Sequence, residues 1–291
     1  MFKGVITALV TPLRNDSVDE EALRRLVDEQ IRAGIDGLVP VGTTGESPTL
    51  SNEEHIRVIE VVVEEAKKRV PVIAGTGANA TREAIELTAA AKAVGADGTL
   101  QVTPYYNKPT QDGLYRHFKA VVDAAQLPMV VYNVPGRTGC DLLPETIARL
   151  CELPLMVGVK EATGNLQRAA QIIARVGDRV SMLSGDDATA FPFYAVGGNG
   201  CISVVSNVVP ADMAAMWDAA AAGNWNKARE LHYKVFPLSE GLFIEANPIP
   251  VKAALAMMGL IEEEYRLPLV PMSGINRAKL RATLEACEIL K

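Results

Sequence analysis

The stretch MVVYNVPGRTGCDLLPETIARLCELPLMVGVKEATG, residues 129–164, decides the fold. It opens on an apolar run, Met129-Val130-Val131-Tyr132. It returns to a second, Leu155-Met156-Val157-Gly158-Val159, which ends in Lys160. Neither run alternates apolar with polar residues. A strand that is apolar throughout is buried on both faces, the condition of a parallel sheet covered by helices. Between the runs, residues 144–151 read as a helix with Pro144 in its first turn, where the missing N–H has no partner to lose. Strand, polar loop, helix and strand make one unit of parallel sheet.

The alternation continues outward in both directions. Toward the N-terminus, strands are expected over 5–10, 37–41, 72–74 and 98–102. Helices are expected over 19–33, from Ser51, over 81–94 and over 111–125. The first of these carries Leu23, Leu26, Val27 and Ile31 at helical spacing. Ser51 followed by Glu54 is a capping box, and Asn79 or Thr81 would cap the third helix. Toward the C-terminus come a helix over 165–176, a strand over 180–184, a short helix over 188–196 and a strand over 200–205. A helix over 210–222 then ends at Gly223. Roughly eight strand–helix units in about 220 residues fit a (β/α)8 TIM barrel. A doubly wound open sheet alternates in the same way, but eight units without a second set of strands argue against it.

Beyond Gly223 no strand is expected. Residues 224–236, 238–244, 250–258 and 276–290 read as helical, with Asn247-Pro248-Ile249-Pro250 as a rigid connector. The expected division is a catalytic barrel over 1–223 and a C-terminal all-helical domain over 224–291.

The 291 residues are 48% hydrophobic and 22% charged, ample for a large core. A net charge of −6 argues against nucleic acid and anionic membranes, which attract basic patches. No apolar run approaches the ~20 residues of a membrane span. Met1-Phe2-Lys3-Gly4-Val5 has neither the apolar stretch nor the cleavage site of a signal peptide. Cys140, Cys151, Cys201 and Cys287 form no C-x-x-C pair. The expectation is a cytoplasmic protein with reduced thiols.

Barrel chemistry sits at the carboxyl ends of the strands. The polar and glycine-rich clusters fall there repeatedly. Gly42-Thr43-Thr44-Gly45-Glu46-Ser47 follows the second strand and Gly75-Thr76-Gly77-Ala78-Asn79 the third. Thr103-Pro104-Tyr105-Tyr106-Asn107-Lys108 follows the fourth. Tyr132 ends the fifth and leads into Asn133-Val134-Pro135-Gly136-Arg137-Thr138-Gly139. Lys160 ends the sixth, and Gly185-Asp186-Asp187 follows the seventh.

A lysine at the end of a buried strand is desolvated. That lowers its pKa and leaves a neutral amine able to attack a carbonyl and form a Schiff base. The plainer alternative is a side chain that snorkels outward or pairs with Glu161. Two threonines between glycines offer hydroxyls and free backbone N–H groups that suit a small carboxylate, or they form a simple βα turn. The loop lacks the lysine of a phosphate-binding loop, and Gly75-Thr76-Gly77 lacks the third glycine of a dinucleotide fingerprint. Tyr105, Tyr106 and Tyr132 are core aromatics or proton carriers. Arg137, in a glycine-flanked loop, is a surface charge or a fork for a carboxylate. His55, His117 and His232 lie far apart and Asp186-Asp187 has no evident third ligand, so no metal is expected.

Six motifs, G-T-T-G-E-S, V-T-P-Y-Y-N, Y-N-V-P-G-R-T-G, G-V-K-E-A-T-G, S-G-D-D and N-P-I-P-V-K, occur in this order. Together they closely resemble the dihydrodipicolinate synthase family, over essentially the whole chain. G-T-T-G-E and the strand lysine are shared with the wider pyruvate-aldolase superfamily. The resemblance implies a TIM barrel with a C-terminal helical domain, usually a homotetramer, that needs no cofactor. It implies condensation of pyruvate with L-aspartate 4-semialdehyde, the entry step to diaminopimelate and lysine. By position, Lys160 resembles the Schiff-base lysine and Tyr132 the proton-transfer tyrosine above it. Thr43 and Tyr106 complete the family's relay, that tyrosine reaching into the neighbouring subunit. Thr44 matches the residue that holds the pyruvate carboxylate, and Arg137 the one that receives the semialdehyde's carboxylate. Gly185 and Ile202 match positions lining the pocket of the Schiff-base lysine.

The resemblance also implies an effector pocket. Leu50, His55, Asn79, Glu83 and Tyr105 match lysine-sensitive members, whereas Pro48 and Asn52 depart from them. Weak to moderate inhibition by L-lysine is the expectation. Two other readings remain. One is another pyruvate-dependent aldolase, of the N-acetylneuraminate or keto-deoxy sugar acid type. The other is a non-enzymatic lysine-sensing or scaffolding barrel. Arg137 favours a second substrate with its own short carboxylate over a polyol. A non-enzymatic barrel would leave Thr43, Tyr106, Tyr132 and Lys160 together unexplained.

Overall fold

The computed structural model describes residues 1–290. Eight strands form its main sheet, apart from a short antiparallel hairpin (Leu13–Arg14 with Ser17–Val18): β1 (Gly4–Ala8), β2 (Gly37–Val39), β3 (Ile73–Gly75), β4 (Gly98–Val102), β5 (Met129–Asn133), β6 (Met156–Glu161), β7 (Ser181–Ser184) and β8 (Gly200–Ser203). Between and after them come helices α1 (Glu20–Arg32), α2 (Asn52–Ala66), α3 (Thr81–Ala93), α4 (Gln111–Ala125), α5 (Pro144–Leu150), α6 (Leu166–Val176), α7 (Ala190–Ala195) and α8 (Pro210–Ala221). All strand pairings among the eight are parallel, and β1 pairs with β8 on one side and β2 on the other. The last gap is bridged by Leu38 and Val72. The sheet is therefore a nearly closed barrel, not an open doubly wound sheet.

Two apolar layers explain the unalternating runs. Ile6, Val39, Ile73, Leu100, Val130, Leu183 and Ile202 fill the barrel interior. Val5, Leu38, Met129, Val131, Val159 and Met182 pack outward, in the larger core shared with the helices. The sheet thus meets apolar side chains on both of its faces.

The second strand stops at Val39 rather than Val41, because Val41 already turns into the left-handed region (φ 48°). The capping box of α2 is present, with Ser51 and Glu54 bonding reciprocally. The cap of α3 differs from expectation: Ala80 stands there with no side-chain bond. Asn79 instead donates its amide to the Tyr105 carbonyl (3.3 Å), and the Thr81 hydroxyl bonds His117 Nδ1 (2.9 Å). Neighbours on other loops have drawn both side chains away.

Three helices follow the barrel: α9 (Trp225–Gly241), α10 (Ile249–Met257) and α11 (Gly274–Ala286). The expected break between 236 and 238 is absent, and α9 runs through Pro237. Val235 and Leu238 are buried on its inner face, and that packing outweighs the backbone donor the proline lacks. Among the described residues no helix is long and apolar enough to cross a membrane.

Candidate active site

Strand register sets the centre of the site. Tyr132 on β5 lies opposite Lys160 on β6, and Asn133 opposite Glu161. An irregularity near the start of the pair matches Met129 with Met156 but Val130 with Gly158. The Lys160 ammonium ends 4.2 Å from the centre of the Tyr132 ring.

Lys160 is only 6% exposed. Burial lowers its pKa to about 8; the charge of Arg137 assists and Asp187 opposes. Pairing with Glu161 does not occur. That carboxylate accepts from Arg168 Nε at 3.1 Å and from the Asn133 amide at 3.2 Å. Gly185 makes room for the lysine: a Cβ there would lie 2.9 Å from Lys160 Cε and 2.6 Å from the Ala162 methyl. Burial raises the pKa of Tyr132, which stays a neutral phenol, while Arg137 and the hydroxyl of Thr43 pull the other way.

The threonine loop folds tightly around its glycines. The Gly45 and Glu46 amides turn back to the carbonyls of Gly42 and Thr43 at 3.1 and 3.2 Å. A Cβ on Gly45 would sit 2.8 Å from the Val41 nitrogen. The amides of Thr43 and Thr44 donate to no protein acceptor among the described residues. Two adjacent free N–H groups form an anion-binding concavity. Thr44 is buried, and its hydroxyl accepts from the Asn247 amide at 3.0 Å. Arg137 lies in a one-turn helix, Pro135–Thr138, and donates to the Asn247 carbonyl at 3.4 Å.

These groups meet in one cavity of about 300 Å³, lined by Thr43, Thr44, Tyr132, Arg137, Lys160, Gly185, Asp187 and Asn247 among others. Ile202 does not reach its wall; it packs in the barrel interior with Leu183 and Tyr132. Tyr106 does not enter it either. It is 89% exposed, on a loop where its φ is 75°.

Sequence reasoning missed two residues here. Asn247 was read only as part of a connector, although it opens the N-P-I-P-V-K motif. Asp187 was weighed only as a metal ligand. It is buried, and its Oδ2 accepts from the Val204 and Val205 amides at 2.8 and 3.1 Å. Asp186 turns elsewhere, its Oδ1 accepting from the Thr189 amide at 2.9 Å.

A second cavity of about 360 Å³ touches Thr43, Tyr132 and Arg137 and extends to Pro48, Leu50, Asn52, His55, Glu83 and Tyr105. Asn79 is not on its wall. Burial lowers the pKa of His55, so the ring is neutral; its Nε2 donates to the Gly75 carbonyl at 2.8 Å.

The sequence model of the dihydrodipicolinate synthetase family matches residues 1–287. A relative from Geotalea uraniireducens (strain Rf4), named 4-hydroxy-tetrahydrodipicolinate synthase, is 58% identical over 285 residues, 98% of each chain. The dihydrodipicolinate synthase of Acinetobacter baumannii, solved in complex with pyruvate, superposes with a TM-score of 0.98 at 49% identity over all of both chains. The enzyme of Cyanidioschyzon merolae, solved with lysine bound, superposes with a TM-score of 0.96 at 41% identity over 99% of each chain. With barrel, cavity and sequence in agreement from end to end, the chain belongs to the dihydrodipicolinate synthetase family.

Proposed function

We infer that this protein condenses pyruvate with L-aspartate 4-semialdehyde to 4-hydroxy-tetrahydrodipicolinate through an imine on Lys160. The observation that carries the reading is a buried lysine with its pKa near 8, on the wall of a cavity beside a neutral phenol. The pyruvate carboxylate would rest on the Thr43 and Thr44 amides. The free amine of Lys160 attacks the keto carbon. Tyr132 gives its proton to the departing hydroxyl, and water leaves as the imine forms. The imine withdraws electrons from C3, whose proton leaves through the Tyr132–Thr43 pair to give an enamine. Enamine C3 then bonds to the aldehyde carbon, whose oxygen takes back the proton held by the Tyr132–Thr43 pair and becomes the hydroxyl, while Arg137 at the mouth holds the semialdehyde's own carboxylate. Finally the semialdehyde's amine attacks the imine carbon, displaces Lys160 and closes the ring.

Tyr106 is the relay member that one chain does not supply to its own cavity. Its exposure supports a role across an interface with a second copy, in a homotetramer. The test of the whole reading is borohydride trapping with pyruvate, followed by mapping of the adduct to the Lys160 peptide. Product formation on adding the semialdehyde fixes the second substrate. A trapped adduct with no turnover of the semialdehyde would favour another pyruvate aldolase.

The rate of imine formation should follow the neutral fraction of Lys160. With a pKa near 8, about one-tenth of the amine is neutral at pH 7 and about nine-tenths at pH 9. Acid restores the unreactive ammonium, so the rate falls as pH drops. Rapid-mixing measurements with pyruvate are expected to show an approximately tenfold rise from pH 6 to pH 7, levelling above about pH 9. A flat profile over that range would reject a lysine that titrates there.

The second cavity supports feedback by L-lysine. Glu83 faces the ligand's ammonium, and the shared wall of Thr43 and Tyr132 couples the two cavities. Pro48 and Asn52 line the same wall and differ from the lysine-sensitive pattern, so inhibition is partial. Saturating L-lysine is expected to lower the rate about three- to tenfold, and Glu83→Ala to relieve it. A lysine titration without loss of rate would remove this regulatory role.

A further inference from the structure

The threonine loop is gripped from outside the barrel by a charge pair that the chemistry does not use. Lys252, on α10, bonds Glu46 through Nζ and Oε1, and both side chains are completely buried. The two residues lie 206 positions apart in the chain. The same ammonium stands 5.3 Å from the centre of the Tyr265 ring. The Tyr265 hydroxyl donates to the Ile249 carbonyl at 3.0 Å, at the start of α10.

A buried ion pair is a poor way to stabilise a fold. Desolvating two charges can cost more than their attraction returns, and an apolar pair of similar volume often serves as well. What such a pair does supply is one defined geometry. Here it fixes a strained segment. Glu46 has φ 56° and Val41, a β-branched residue, has φ 48°. Left-handed backbone in such residues persists only where surrounding contacts impose it. Thr43 and Thr44 lie between these two positions. Further contacts converge on the same segment: the Thr11 hydroxyl donates to the Gly45 carbonyl at 2.7 Å, and the Asn247 amide reaches Thr44. Asn247 sits just before α10, so the helix that carries Lys252 also anchors the segment bonded to Thr44.

We propose that Glu46 and Lys252 are positioning residues that set the affinity for pyruvate. Their ion pair holds the Thr43 and Thr44 amides in the orientation that receives the keto acid's carboxylate. The inference rests on the reading of that loop as the carboxylate seat. The pair touches no reacting atom, so its removal should act on pyruvate binding more than on the steps that follow.

The test is the double variant E46Q/K252M, which removes both charges together and leaves neither buried alone. It is expected to fold, to give the borohydride adduct on Lys160 at saturating pyruvate, and to raise KM for pyruvate at least about tenfold. KM for the semialdehyde and kcat should change less than about threefold. A folded double variant with the original KM for pyruvate overturns the proposal, as does an equal loss for both substrates. If the double variant does not fold, E46Q alone decides by the same comparison, because glutamine keeps the shape but removes the charge that pairs with Lys252. Absence of any Lys160 adduct in the unaltered protein would instead overturn the underlying reading of the site.

Discussion

Lys160→Ala yields a folded protein in which pyruvate and borohydride leave no adduct, and kcat/KM falls by at least about 10⁴. No other group can take over. Among the described residues the wall of the cavity that holds Lys160 offers hydroxyls, carboxylates and a guanidinium, but no second amine. A guanidinium stays protonated at any working pH and does not form the imine. Folding survives because the substitution removes a poorly solvated ammonium that has no ion-pair partner, which offsets part of the cavity left behind. Circular dichroism melts check the fold, and mass mapping after reduction checks the chemistry. An adduct persisting on any other residue of the variant would overturn the assignment.

Tyr132→Phe is the second large effect. It deletes one oxygen and leaves the ring packed against Lys160. Loss of a general acid typically costs about 10²–10⁴ in rate, and kcat is expected to fall by that amount. KM for pyruvate should move little, since the carboxylate seat is on another loop. Burial keeps the phenol protonated, so it enters the cycle as an acid; Arg137 and Thr43 lower the cost of its transient ionisation. A variant that retains more than about a tenth of the original kcat would show that another group moves the proton.

The barrel was legible because burial on both faces leaves a local trace, an apolar run without alternation. Lys160 was legible for the same reason: a charge closing such a run stands out from its surroundings. Thr43 and Thr44 were flagged by the glycines beside them. The missed features share a physical cause. Glu46 and Lys252, or Thr44 and Asn247, make contacts that span more than two hundred residues, and neither member carries a local sign of the other. Asp187 looked like half of an acidic pair, whereas its partners are backbone amides that no side-chain pattern announces. The continuity of α9 through Pro237 was hidden because local propensity argues for a break and only tertiary packing opposes it. Ile202 packs in the barrel interior, and Asn79 bonds the Tyr105 carbonyl, tertiary contacts that a motif position does not announce.

The register that sets Tyr132 opposite Lys160 divides the labour of the molecule. The pair proposed to do the chemistry is fixed by neighbouring strands, so the backbone ladder, not a loop, sets its spacing. Arg137, by contrast, rides on a connection that can lengthen, shorten or change sequence without disturbing that ladder. A lineage built on this barrel can therefore try new second substrates by altering the rim alone. It need not rediscover how to activate the keto acid each time.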